Sequence, residues 1–277
     1  MKFIVTHFSP DLDAITACWL IRRFLPSWEK AEIKFVAAGK TFQNKPPDSN
    51  PNIIHVDTGM GKFDHHQNAV YTCATKKVFL FLKRKGYIAK KDVSPLERMV
   101  EIVNQIDHFK EVNFVNPTAD IYDFSLHQMI EGAKSILQNN KKLVEYFLVS
   151  LDAIFQIFKN KVKAEKEIKS GLIFYNRWGK SLAIESKNEE VIKLALKMGF
   201  AIVIRKDPEK GFLRIKARPQ KNIDLTPVYQ AIKKIDQKGS WFLHSEKTML
   251  LNGSSKNPNL IPTPLSLKKI VEIIKNL

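Results

Sequence analysis

Cysteine is nearly missing: the 277 residues hold two, Cys18 and Cys73. They lie far apart and form neither a disulfide framework nor a metal-type pair, so a reducing, cytoplasmic setting is expected. Long apolar runs are missing as well. The stretch FIV near the start is broken at once by Thr6 and His7, and no signal peptide is expected. The most apolar later stretch, LVEYFLVSLDAIFQIF, carries Glu145 and Asp152 and falls short of a membrane span. No membrane partner is therefore expected, and no repeat or low-complexity tract stands out. Acidic residues are the minority charge, 28 against 45 Lys and Arg, for a formal net charge of +17. That excess suits a polyanionic partner through counterion release. Lysine spread over a whole chain also arises from genome bias or a high growth temperature, so charge alone leaves the partner open. Histidine is scarce too, with only seven.

What is present reads as a globular α/β chain, 44% hydrophobic. KFIVT (2–6) reads as a short buried strand. The helix SPDLDAITACWLIRRFL follows, with Ser9 as N-cap and Pro10 at the first helical position. AEIKFVAAG is a second strand, IIHVDTG a third and GKFDHH a short fourth. A basic amphipathic helix runs through TKKVFLFLKRKG to Gly86, and Ser94, Pro95 and Glu97 read as a capping box opening PLERMVEIVNQI. Alternating strands and helices predict a doubly wound, mainly parallel sheet over 1–119. Residues 120–170 read as a helical connector. A second, smaller α+β domain, with two hairpins and a strand pair, fills 171–277.

Four of the seven histidines cluster with four aspartates in THFSPDLDA (6–14) and HVDTGMGKFDHHQ (55–67). His7, Asp57 and Asp64 fall at or just past the carboxyl ends of predicted strands, the edge at which open α/β sheets bind ligands. Asp11 and Asp13 sit two apart where the first helix begins. Imidazoles with carboxylates suit a divalent ion such as Mn²⁺ or Mg²⁺. There are too many donors for one ion and enough for two. Without cations, carboxylates gathered in one crevice would repel one another.

These three motifs, in this order, resemble the DHH phosphoesterase superfamily, in particular its RecJ-like and oligoribonuclease-like members. HFSPDLDA resembles the first motif, HVDTG the second and FDHH the third. FDHHQ after VDTG also shares some likeness with the MYG-type exonuclease branch, whose first motif is worded differently. The resemblance covers residues 1 to about 115. It implies two divalent metal ions, Mn²⁺ or alternatively Mg²⁺. His7, Asp11 and Asp57 would hold one ion; Asp13, Asp57, His65 and Asp107 would hold the other, with Asp57 shared. VEIVNQIDHF offers Asp107 as the fourth-motif aspartate, without the threonine that the commoner family wording has soon after it. His66 would face the phosphoryl group and Asp64 would orient the imidazoles. His108 has no counterpart in the family, and His55 reads as a packed histidine.

The second domain resembles the family's substrate-binding domain more loosely. FLRIKARPQ, a helix and GSWFLHSEKTMLLNGSS follow its order, which implies that Arg218 and His244 grip a terminal phosphate. The expected glycine cluster is reduced to Gly239 and NGSS. Trp241 and Phe242 are open to either base stacking or core packing. The implied activity is hydrolysis of phosphodiester bonds in short or single-stranded nucleic acid or cyclic dinucleotides by a hydroxide bridging two metals. A pyrophosphatase-like hydrolase and a non-catalytic nucleic-acid-binding module are the alternatives, and a homodimer is among the assemblies the sequence allows.

Overall fold

A computed structural model describes residues 1–253, 257 and 259–277. The chain divides into two compact units, Met1–Lys159 and Asn160–Leu277.

The first unit is built on a three-stranded parallel sheet of β1 (Phe3–His7), β2 (Glu32–Val36) and β3 (Ile53–His55), in the order β2-β1-β3. The chain leaves β1 to one side through α1 (Leu12–Phe24) and returns on the other side as β3. The strand order therefore reverses beside β1. In parallel sheets the crevice at such a reversal, at the carboxyl ends of the strands, is the natural ligand site. The expected fourth strand is reduced to one bridge, Val56 to Phe63. The Asp64 carboxylate takes the amides of Met60 (2.7 Å) and His66 (3.2 Å). Local side-chain bonds of this kind compete with a strand ladder.

Helix α1 is buried from Leu12 to Ile21. Its N-cap is Asp11, whose carboxylate accepts the Ala14 amide at 3.0 Å, rather than Ser9, which sits in the left-handed region at φ 53°. Around α1 pack α2 (Ala74–Arg84), α3 (Lys90–Asp107), α4 (Leu126–Leu137) and the long α5 (Asn140–Lys169). Helix α3 starts four residues before the expected capping box and carries Pro95 in its interior. Glu97 pairs with Lys83 at 2.6 Å instead of reaching back to Ser94. Burial of Ile88, Leu96 and Met99 holds the early turns despite the hydrogen bond that proline removes.

The charges that interrupt the apolar run of α5 have partners on α1. Glu145 meets Arg22 at 2.8 Å, and Asp152 meets Trp19 Nε1 at 3.2 Å and Arg23 at 3.3 Å. Leu143, Val144, Phe147, Leu151 and Phe155 face the core of the first unit. Much of the segment that reads as a connector, from Ile130 to Phe155, thus contributes to that core. Phe147→Ala should lower unfolding free energy by about 3–5 kcal/mol, as deleting a buried phenyl ring does. Tyr146→Ala, at an exposed neighbour, should cost well under half of that. Equal losses in denaturant unfolding would contradict this packing.

The second unit carries a six-stranded mixed sheet, in the order β4-β5-β6-β7-β9-β8. Its strands are β4 (Leu172–Asn176), β5 (Gly179–Glu185), β6 (Ile202–Lys206), β7 (Leu213–Ala217), β8 (Trp241–Leu243) and β9 (Met249–Asn252). Only β5 and β6 pair in parallel, across α6 (Glu190–Lys197). The other pairs are antiparallel, including the two hairpins read from the sequence, β4–β5 and β6–β7. Helices α7 (Thr226–Ile235) and α8 (Leu267–Lys275) contribute Val228, Ile232, Ile270 and Ile274 to this unit's core. Among the described residues no helix is long and apolar enough to cross a membrane.

Candidate metal centre

His7 closes the central strand of the first sheet, and Asp57 follows β3 on the neighbouring strand. Asp57 takes φ 54°, a left-handed conformation that a non-glycine residue adopts only at a cost, of order 1–3 kcal/mol. The turn is held from outside. The Asp57 amide donates to the Phe63 carbonyl at 3.0 Å, and the Thr58 hydroxyl donates to the Lys40 carbonyl at 3.1 Å. His55 accepts the Phe42 amide at Nε2, 3.0 Å, and so packs the neighbouring loop, as its sequence position suggested.

The six side chains expected as ligands come together. His7, Asp11 and Asp57 form one group of donor atoms within 4.8 Å of one another; Asp13, His65 and Asp107 form another. Asp57 links them. Its Oδ2 lies 3.1 Å from His7 Nε2 and its Oδ1 3.2 Å from His65 Nε2. His65 Nε2 also lies 3.7 Å from Asp107 Oδ2 and 3.8 Å from Asp13 Oδ2, so one imidazole nitrogen is ringed by three carboxylates.

Tautomers follow from the second nitrogens. His7 Nδ1 lies 2.8 Å from the Phe8 carbonyl oxygen, which can only accept, so Nδ1 carries a proton and Nε2 faces Asp57. His66 Nδ1 lies 2.7 Å from Asp64 Oδ1 and must likewise donate. His66 belongs to a third donor group with Asp57 and His65. Its Nδ1, however, is 3.9 Å from Asp57 and engaged by Asp64. The His66 side chain is also 56% exposed against 14% for His65, so His66 lies at the mouth of the cluster.

The charges are strained as they stand. Burial pushes the Asp11 and Asp13 carboxyls up, and the neighbouring Asp57 adds to both shifts. Burial lifts Asp107 to about 6. Asp107 is also the last residue of α3, where the helix dipole disfavours an anion. Burial would raise Asp57 too, but His65 and His7 hold it below the usual carboxylate range. His65 is raised to about 9 by the Asp57 carboxylate. His7 also reaches about 9: burial is the largest single influence and pulls it down, but the bonds to Asp57 and Phe8 and the nearby Asp57 and Asp11 charges together outweigh it.

The donor set fits divalent cations on an independent observation. Asp57 Oδ1 and Asp107 Oδ2 are buried without a hydrogen-bond partner among the described residues, and both point at His65 Nε2. Buried partnerless carboxylate oxygens are costly unless a cation satisfies them. Asp13 plays two parts, because its oxygens also accept the Ala74 and Thr75 amides at 2.7 and 2.8 Å and so cap α2. Divalent ions entering here would displace the extra protons, so binding would be coupled to proton release. Neither cysteine takes part: both are free and buried, and burial pushes both thiols up.

Some expected site features fall elsewhere. His108 donates Nδ1–H to the Asn104 carbonyl at 2.8 Å and meets the Tyr71 ring edge-on, a structural arrangement. In the second unit, Arg218 follows β7 and is exposed, and His244 opens the turn between β8 and β9. The Ala217 amide bonds Thr248, and the His244 amide bonds Met249, so the two residues share one end of the sheet. The expected glycines lie outside that turn, Gly239 before β8 and Gly253 after β9. Gly239 packs on buried Asp236, whose Oδ2 would be 2.2 Å from an added Cβ. Trp241 is core and donates to the same carboxylate at 2.8 Å; Phe242 is exposed. Of NGSS, Ser254 and Ser255 lie outside the described residues.

Sequence reading missed Glu111, His127 and Glu131, which line a pocket of about 320 Å³ with Asp11, Asp13 and Asp107. Glu111 Oε2 is buried and partnerless. No motif marks these residues; the fold alone brings the segment after α3 and the start of α4 to the cluster.

Among solved structures, the chain is similar to RecJ in complex with Mg²⁺ from Thermus thermophilus, at 11% identity and a TM-score of 0.35. That match covers 99% of this chain, which spans about half (49%) of the RecJ chain. A DHH domain from a member of the s1p family of ribosomal proteins matches at 11% identity and a TM-score of 0.33, covering 99% of this chain and 86% of that one. No curated protein matches. A family model does match, over residues 4–158, the stretch that holds all the clustered donors. It spans more than half of the sequence, and the chain belongs to the family described as ChrB, C-terminal domain.

Proposed function

We propose that this chain is a divalent-metal-dependent phosphoesterase of the DHH type that hydrolyses phosphodiester bonds in short or single-stranded nucleic acid or in dinucleotides. One observation carries the reading. His7, Asp11 and Asp57, and then Asp13, His65 and Asp107, form two donor groups that meet at Asp57, with two buried carboxylate oxygens that lack a hydrogen bond among the described residues. Divalent ions bound there, Mn²⁺ by preference, would supply an activated water and neutralise charge on the phosphoryl oxygens. His7 offers Nε2 because Phe8 holds its other nitrogen. Asp64 fixes the ring of His66 through Nδ1 and leaves Nε2 for the phosphoryl group, where it holds or passes a proton. On the second unit, Arg218 and His244 take a terminal phosphate.

A pyrophosphatase-like reading is less well supported. Pyrophosphate needs several cations around its charge, but the first unit's pocket at the donors is lined by Glu111 and Glu131 and, among the described residues, by no lysine or arginine. Turnover should therefore be screened with Mn²⁺ and with Mg²⁺ on linear and cyclic dinucleotides, single-stranded DNA and RNA, and pyrophosphate. A phosphodiester should be hydrolysed at least about tenfold faster than pyrophosphate, a difference of about 1.4 kcal/mol in barrier. Faster release of phosphate from pyrophosphate would favour the alternative. No metal-dependent turnover of any substrate would leave only a binding module.

A further inference from the structure

An unassigned positive feature of the first unit is a groove of about 520 Å³ lined by Lys62, Lys77, Lys83 and Arg84 over Phe63, Leu80 and Phe81. It backs onto the loop that carries His65 and His66. The Lys77 ammonium donates to the Asp64 carbonyl and reaches Gln67 Oε1 at 3.4 Å. Lys62 Nζ lies 3.7 Å from the centroid of the Phe81 ring and 4.8 Å from that of Phe63. Of the four cations only Lys83 has a carboxylate partner, Glu97 at 2.6 Å. Lys62, Lys77 and Arg84 have none within ion-pair distance among the described residues. The nearby Asp48 is taken by the Lys62 backbone amide at 2.7 Å. From Lys77 to Arg84 the groove follows two turns of α2, about 10 Å.

We propose that this groove binds the backbone of single-stranded nucleic acid, away from the reacting phosphate, and so extends the site toward polymeric substrates. Unpaired cations along one track neutralise successive phosphates, while the apolar floor keeps the long side chains extended toward the ligand. The assignment builds on the phosphoesterase reading, but binding can be tested without turnover.

The test uses the full chain under chelator and a labelled oligothymidylate of ~20 nucleotides, followed by anisotropy between about 50 and 200 mM salt. The double variant Lys62→Ala/Arg84→Ala should bind at least about tenfold more weakly. Two lost phosphate contacts should also flatten the slope of log affinity against log salt by about 1.4. The charge-keeping Lys62→Arg/Arg84→Lys should bind like the parent, which excludes a folding artefact. Metal-dependent hydrolysis of bis(p-nitrophenyl) phosphate, too small to reach the groove, should be the same in all three. Unchanged affinity and slope in the alanine variant would overturn the groove and leave the phosphoesterase reading intact. A weakened variant of a chain that hydrolyses no phosphodiester would uphold the groove and overturn that reading. Polyglutamate competing as well as the oligonucleotide would overturn the nucleic-acid assignment.

Discussion

Asp57→Asn should lose both metal ions together and lower turnover by at least about a thousandfold, because metal stabilisation of phosphoryl charge is worth several kcal/mol. Its two oxygens face different partners, Oδ2 toward His7 and Oδ1 toward His65, so no other side chain of the cluster belongs to both halves in the same way. Asparagine is nearly isosteric and is among the residues that tolerate the left-handed region, so the strained turn at φ 54° survives the change. Asp107→Asn should instead weaken only the ion shared with Asp13 and His65. Elemental analysis after dialysis against Mn²⁺ reads both outcomes. Two equivalents retained by Asp57→Asn would sink the shared-ligand assignment. One equivalent lost by each variant would show independent sites.

His66→Ala should keep both ions and lower kcat by about a hundredfold to ten-thousandfold, the usual range for losing a positioned acid or base. KM should change little, because an interaction that strengthens in the transition state appears in the chemical step. The separation from His65 rests on geometry. These are adjacent residues of one motif, yet His65 is mostly covered amid three carboxylates, and His66 is half exposed with Nδ1 committed to Asp64. Metal loss in His66→Ala would make this imidazole a ligand. A risen KM at constant kcat would make it a binding group.

Much of the fold was legible because its signals are local. Apolar periodicity and a glycine stop marked α2, and two hairpins were read in the segment that forms β4–β5 and β6–β7. The errors arise where a local signal meets a competing partner, close in sequence at Asp11 and Asp64 and distant at α3 and α5. Ser9 and Pro10 look like a helix start, but the cap is Asp11, beside the strand ends. Ser94, Pro95 and Glu97 spell a capping box, but burial of Ile88 and Leu96 extends α3 backwards and Lys83 takes the glutamate. GKFDHH alternates like a strand, but the Asp64 side chain captures the amides a ladder would use. The charged end of α5 reads as a linker, but its beginning carries the apolar face that completes the first core.

The site divides in the same way. Sequence by itself determined which residue types are available: histidines and aspartates at strand ends and at a helix start, where short-range backbone geometry already turns them to one edge of a sheet. The family resemblance also singled out Asp107, which the structure places as the last residue of α3. The resemblance implied how the donors group, but the distances between residues 7, 57, 65 and 107 depend on strand order and on how α3 packs, which only the tertiary structure decides. It likewise supplied the physical difference between His66 and His65, one hydrogen bond and solvent exposure. The acidic wall of Glu111 and Glu131 and the basic groove from Lys62 to Arg84 are tertiary as well. Each draws on segments distant in sequence, and no local pattern encodes which charged side chains the fold leaves without a partner.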